Sequence, residues 1–172
     1  MSRSVRLGWL VLLPVLAAAA VGCNQSSVST SGAKVSVPQP VSLTLPKRIG
    51  IHPFTGIRVF DESGGIKGVD VRIQAFDASG DSTKAFGDFR FELYAFRPNS
   101  LDPRGLRLET WEVSVADPKV NALHWDSITR AYKFKLQWEQ PIPVGQHYVL
   151  AAVFSSAFTE RLMEQRVFVA GQ

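Results

Sequence analysis

From residue 41 onward the chain is patterned with period two. Val69, Val71, Ile73 and Ala75 interleave with Asp70, Arg72 and Gln74, which sends the two sets to opposite faces of an extended strand. Phe89, Phe91, Leu93 and Ala95 alternate in the same way with Asp88, Arg90, Glu92 and Tyr94, and Tyr132, Phe134, Leu136 and Trp138 with Lys133, Lys135 and Gln137. In Leu106 to Val115 the parity changes: Leu106 and Leu108 share one phase, Trp111, Val113 and Val115 the other. A strand can do that only with an extra residue or a change of sheet, so a bulge or switch is predicted at Glu109-Thr110. Tyr148 to Phe154 is apolar without alternation, as a central strand covered on both faces would be. Arg161 to Ala170 is predicted to be the last strand.

Turn signals separate these runs, at Ser63-Gly64-Gly65, Ala78-Ser79-Gly80-Asp81, Pro98-Asn99-Ser100 and Pro141 to Gly145. Helical periodicity is almost absent. Seven to nine short strands at this spacing predict an all-β fold, one antiparallel β-sandwich over residues 41–172, with a closed barrel as its rival.

Ahead of this domain the pattern is different. Arg3 and Arg6 precede an apolar run from Leu7 to Val21, 15 residues long, where a bilayer-spanning helix needs about 20. A basic start, a short apolar middle and small residues before a processing point are the marks of an export signal. Ala20-Val21-Gly22-Cys23 resembles the lipobox of bacterial lipoproteins, with Ala20 in the place where leucine is usual. The resemblance implies a signal peptide over residues 1–22 and a Cys23 that receives a diacylglyceryl group on its thiol and an acyl group on its new amino terminus. The plain alternative is an ordinary cleaved signal that happens to hold a cysteine, or a poor membrane helix. Cys23 is the only cysteine, so an exported form has no internal disulfide. Asn24 follows it, and in enteric sorting patterns an aspartate there favours the inner membrane; outer-membrane residence is therefore expected. Residues 23–40, rich in serine and ending in Pro38 and Pro40, have too few apolar groups to offset ordering entropy and read as a flexible lipid-anchored linker.

Near the other end, Pro143-Val144-Gly145-Gln146-His147-Tyr148-Val149-Leu150 is similar to the proline, glycine and tyrosine pattern that leads into a late strand of bacterial immunoglobulin-like and fibronectin type III-like envelope domains. The resemblance covers about a tenth of the chain. It implies that the Tyr148 hydroxyl bonds backbone across a corner; it supports the fold and implies no activity.

Charge excludes one class of ligand. The two arginines of the export segment supply half of the formal +4, so the processed chain is left at +2 with no lysine or arginine run. Nucleic acid requires a concentrated basic footprint, and none is present. Nor does the chain carry paired histidines at helical metal-binding spacing, a glycine-rich phosphate loop or a nucleophile elbow, so neither catalysis nor a cofactor is expected.

Two constellations remain. Counting antiparallel strands puts Asp61 and Glu62 at one end of the sandwich, and Asp77 and Asp81 at the other with the long connection carrying Asp117, His124 and Asp126. Asp77, Asp81, His124 and Asp126 are thus weak candidates for a metal site, or for a hydrolytic or metal-dependent active site, against the simpler reading of turn and loop residues. Among the aromatics, Trp138 and Trp111 fall on core parity, whereas Trp125 falls in a predicted loop, and Tyr94 and Phe96 share an outward face with Arg90 and Glu92. Trp125, Tyr94 and Phe96 are the candidate contact residues. The expected function is a lipid-anchored envelope module that binds or scaffolds, attached to the membrane through Cys23, with a protein or glycan partner. A third reading, a carrier of lipid, requires an empty cavity within a barrel.

Overall fold

Backbone pairing turns the alternation into two antiparallel sheets packed face to face. The computed structural model describes residues 34–39, 41–61, 63 and 65–171; the export signal, Cys23 and the linker as far as residue 33 lie outside the described residues. After a short 3-10 turn at Val41–Thr44 come β1 (Arg48–Ile51), β2 (Gly56–Val59), β3 (Lys67–Phe76), β4 (Ser82–Thr83), β5 (Asp88–Phe96) and β6 (Arg104–Ser114). They are followed by helix α1 (Pro118–His124), β7 (Trp125–Asp126), β8 (Ala131–Gln137), β9 (His147–Ser155) and β10 (Leu162–Val169). One sheet has six strands, built as β1-β3-β8-β7 with β2 and β4 also paired to β3; the other has four, in the order β10-β9-β5-β6. The fold is an all-β antiparallel sandwich, in which β1 and β2 form one interrupted edge strand beside β3. Among the described residues no helix is long and apolar enough to cross a membrane.

The core lies where the two apolar parities meet. Phe89 and Phe91 of β5 pack on Phe134 of β8 with ring centroids 5.3 and 5.1 Å apart, and Phe89 meets Phe154 of β9 at 4.8 Å. All four rings are essentially inaccessible, each stabilising the fold by about 2–3 kcal/mol. The six-stranded sheet is drawn tight at Gly68, where a Cβ would stand 2.0 Å from the Leu136 carbonyl oxygen, so no side chain fits between β3 and β8 there. On one side of the sandwich the Trp111 indole N–H donates to the Gln137 carbonyl at 2.8 Å and ties β6 to β8 across the gap.

The parity change resolves as a bulge. Leu93 pairs with Glu109 and Tyr94 with Arg107, so Leu108 is the extra residue, one position from the predicted site. The edge of the six-stranded sheet is interrupted differently. His52–Thr55 separates β1 from β2, and the Thr55 hydroxyl accepts from the Arg72 N–H at 3.0 Å and donates to the Arg72 carbonyl at 3.4 Å. A side chain thereby stands in for the missing ladder.

Two expectations are corrected. The connection after β6, read as a loop, contains α1. Asp117 caps it, accepting from the Lys119 and Val120 N–H groups at 2.8 and 3.1 Å, and Pro118 sits in the first turn where its missing N–H costs nothing. Seven residues are too few for a helix to stand alone. Asn121 holds it down: its buried amide donates to the Ala85 and Val115 carbonyls at 2.6 and 2.8 Å, and its Oδ1 lies 3.1 Å from the Tyr132 hydroxyl. The second correction concerns Tyr148. Its ring packs edge-on against Trp138 at 5.5 Å and beside Phe168, and burial raises its hydroxyl above the usual tyrosine range. The corner bond is not formed among the described residues. The buried, bonded hydroxyl is that of Tyr132, which accepts from the Ala85 N–H at 2.8 Å.

Candidate functional site

Topology does bring Asp77, Asp81, Asp117, His124 and Asp126 to one end of the sandwich, where β3 and β6 finish and β8 starts. The functional groups of Asp77 and Asp117 turn onto their own backbone, and those of His124 and Asp126 are taken up by Lys133 of β8 and by the turn after β7. Asp77 Oδ1 accepts from the Ser79 and Asp81 N–H groups at 2.9 and 3.0 Å, closing the turn that follows β3. The carboxylate of Asp126 pairs with Lys133 and accepts from the Ile128 N–H at 2.9 Å; these contacts hold its carboxyl well below the usual range. Nδ1 of His124 lies 2.9 Å from the Lys133 carbonyl while its ring packs on Phe134 at 4.8 Å. Among the described residues no three His, Cys, Asp or Glu side chains gather closely enough to hold a metal ion.

The outer face of the four-stranded sheet is organised otherwise. Register sets its residues in rows: Met163, Val153, Arg90 and Glu112 in one, Gln165, Ala151, Glu92 and Thr110 in the next, then Val167, Val149, Tyr94 and Arg107. The middle of each row, on β9, is a small apolar residue, and Val149, Ala151 and Val153 are all buried although they face away from the core. Long neighbouring side chains lie over them, their stems on the apolar floor and their polar heads in solvent. This double covering is why β9 shows no alternation.

Glu92 is the hub. Its side chain is 15% exposed, with Arg90 Nη2 at 2.6 Å and Arg107 Nη1 at 3.6 Å. The Tyr94 hydroxyl donates to Glu92 Oε2 at 2.6 Å. That hydrogen bond, with the two guanidinium groups, pulls the Glu92 carboxyl below its ordinary range against the opposing effect of burial. Burial and the bond to Glu92 push the Tyr94 hydroxyl up. Beside them Arg104 stands 5.8 Å over the Tyr94 ring and is fixed by a two-pronged bond to Asp102, Nε to Oδ1 at 3.0 Å and Nη2 to Oδ2 at 3.0 Å. The bulge at Leu108 is what delivers Arg107 to this face, since without the extra residue its parity would be wrong.

Tyr94 and Phe96 occupy this outer face as their spacing predicts, Phe96 beside the His147 ring at 5.5 Å. Trp125 does not join them. It is the first residue of β7 on the other sheet, pairs with Tyr132, meets that ring edge-on at 5.0 Å and packs against the core. Shallow depressions flank the Glu92 cluster. One, of about 570 Å³, is lined by Arg90, Glu112, Val153 and Arg161 among others, and the second, of about 380 Å³, by Arg104, Ala151, Met163, Glu164 and Gln165. Arg90 Nε is buried there without a hydrogen-bond partner among the described residues. Met163 is 62% exposed at the margin.

Sequence reasoning missed Arg104, Arg107 and Met163. Arg90 and Glu92 carry a parity signal on β5, but the other three reach the same surface only through the register of β6 and β10, which single-strand patterning does not encode. Chemically the surface presents guanidinium donors, an aromatic ring and an exposed thioether on a rigid floor, with the one central carboxylate already neutralised. Comparison of the chain with protein-family models, with curated proteins and with solved structures finds no match.

Proposed function

We propose that this chain is a lipid-anchored protein of the cell envelope, held through Cys23 and facing the outer membrane, whose β-sandwich binds a protein partner on the outer face of its four-stranded sheet. The observation that carries the binding reading is the Glu92 cluster. Arg90, Tyr94 and Arg107 converge on one largely buried carboxylate on a flat sheet, at positions where the fold itself gains little from them. Arginine and tyrosine on a rigid floor are the residue types that dominate protein–protein contact energies, and a flat surface with shallow depressions suits a folded partner better than a small molecule. Anchoring is supported by the sequence pattern around Cys23 and by the absence of any second cysteine.

The test uses a photo-reactive amino acid placed at Met163 or Gln165 on the proposed face, and at Val59 on the opposite sheet, in the full chain in its native envelope. A discrete cross-linked product is expected from the first two positions and not from Val59. That product should vanish in an Arg104→Glu, Arg107→Glu double variant that remains folded. Equal cross-linking from both sheets, or a product indifferent to the charge reversal, overturns the assignment.

A further inference from the structure

We propose that the loop end of the sandwich from which the chain leads back towards Cys23 rests on the bilayer, with Phe86 and Phe158 seated among the lipid headgroups. This inference builds on the lipid-anchored reading above and adds an orientation to it.

Three observations converge on that end. First, the described chain begins against it: the Val35 N–H donates to the Ala157 carbonyl at 3.0 Å, and the Thr83 hydroxyl donates to the Thr44 carbonyl at 2.7 Å. Second, an apolar groove of about 450 Å³ runs between that segment and the loops, lined by Val35, Val41, Leu45, Phe86 and Phe158, with Lys84 as the one charged residue on its wall. A second groove, which includes Asp88 and Ala116, adjoins it, and Phe86 and Phe158 line both, so the two rings form a ridge between hollows. They are 42% and 46% exposed, and Val35 and Val41 beside them are more than half exposed. Third, ten residues separate Cys23 from Lys34. A chain of that length reaches at most about 40 Å and as a coil averages about 20 Å, whereas the far end of the sandwich lies roughly 30 Å further on, the length of a nine-residue strand.

An anchored domain thus meets the lipid surface with this end first and at high effective concentration. The chemistry suits an interface through its apolar ridge: aromatic rings favour the headgroup layer, while Lys84 on the groove wall is offset by Asp77, Asp81, Asp88 and Asp117 at the same end, so the contact rests on the rings and not on net charge. Each contact is individually weak, and the acyl chains supply the residence time that lets weak contacts hold. A consequence is orientation. The strands stand away from the membrane, which leaves the outer face of the four-stranded sheet open along its length to a partner.

The experiment uses the full processed protein in vesicles of phosphatidylethanolamine and phosphatidylglycerol whose acyl chains are brominated. A tryptophan is introduced by Phe158→Trp, by Phe86→Trp, or by Leu101→Trp in the turn at the opposite end. Intact mass is measured first on the same samples. With acyl mass present, emission added at 158 or 86 should fall roughly twofold relative to unbrominated vesicles, and that added at 101 should not change. Equal quenching at both ends, or none at 158 and 86, overturns the docking while leaving the anchor in place. If 158 is shielded yet unquenched, the groove is filled by a second copy where sedimentation shows a dimer, and by the anchor's own acyl chain where it shows a monomer; either result also overturns it. Absence of acyl mass overturns the anchored reading itself, and the docking with it.

Discussion

The two faces of β5 carry opposite chemistries one residue apart. Phe89, Phe91 and Leu93 point inward and are fully buried, whereas Arg90, Glu92 and Tyr94 point outward, with Arg90 and Tyr94 meeting on the Glu92 carboxylate. The inward set works by removing apolar area from water and depends on shape. The outward set works by hydrogen bonding between charges that water can still reach, so it contributes far less to folding. The fold tolerates loss of the second set much better than loss of the first, which leaves the outer face available for recognition.

That contrast can be broken from the inside first. Phe91→Ala is expected to cost about 3–5 kcal/mol, because the ring it removes touches Phe89 and Phe134 and the surrounding sheets relax only partly; denaturant unfolding measures it as a lower midpoint. Next in size is Asn121→Leu, which takes the side-chain donor from the Val115 carbonyl and leaves the Ala85 carbonyl with the Tyr132 hydroxyl alone, at about 2–3 kcal/mol. Its signature is local as well as global: amide exchange in α1 should accelerate before the strands loosen.

On the outer face the expected effects are smaller and depend on pH. Folding lowers the Glu92 carboxyl below its ordinary value of 4.5, so its contribution is fully present above that value and is lost as pH falls through the lower, folded one. Glu92→Gln should therefore be less stable than the parent by about 1 kcal/mol at neutral pH, and the gap should close in acid. A gap that stays constant from pH 7 to pH 3 would contradict an ionised hub. Smallest of all, Arg107→Ala is expected to shift stability by under about 0.5 kcal/mol, given its half-exposed side chain. Its effect should appear in partner cross-linking instead.

How far the sequence disclosed this follows from the range of each signal. Period two places β3, β5 and β8 because alternation is a property of one strand alone. The parity change in β6 located the bulge to within a residue for the same reason. Helix α1 escaped because seven residues make barely two turns of periodicity, and only Asp117-Pro118, a capping residue before a first-turn proline, marked it. Asn121, a polar residue in what reads as a loop, gave no hint that it is buried. The acids at the loop end were placed correctly, yet their bonds to local backbone are set by turn geometry that strand counting does not reach. The Glu92 cluster was half legible: β5 supplied Arg90, Glu92 and Tyr94, while Arg107 depends on the pairing of β6.

The interruption between β1 and β2 has a consequence for crowding. At high local concentration an unbroken margin of free amides and carbonyls would invite neighbouring copies to zip together into fibres. Here that margin is jogged at His52–Thr55, and the Thr55 hydroxyl satisfies Arg72 from within the same molecule. No long straight row is left on that side to copy.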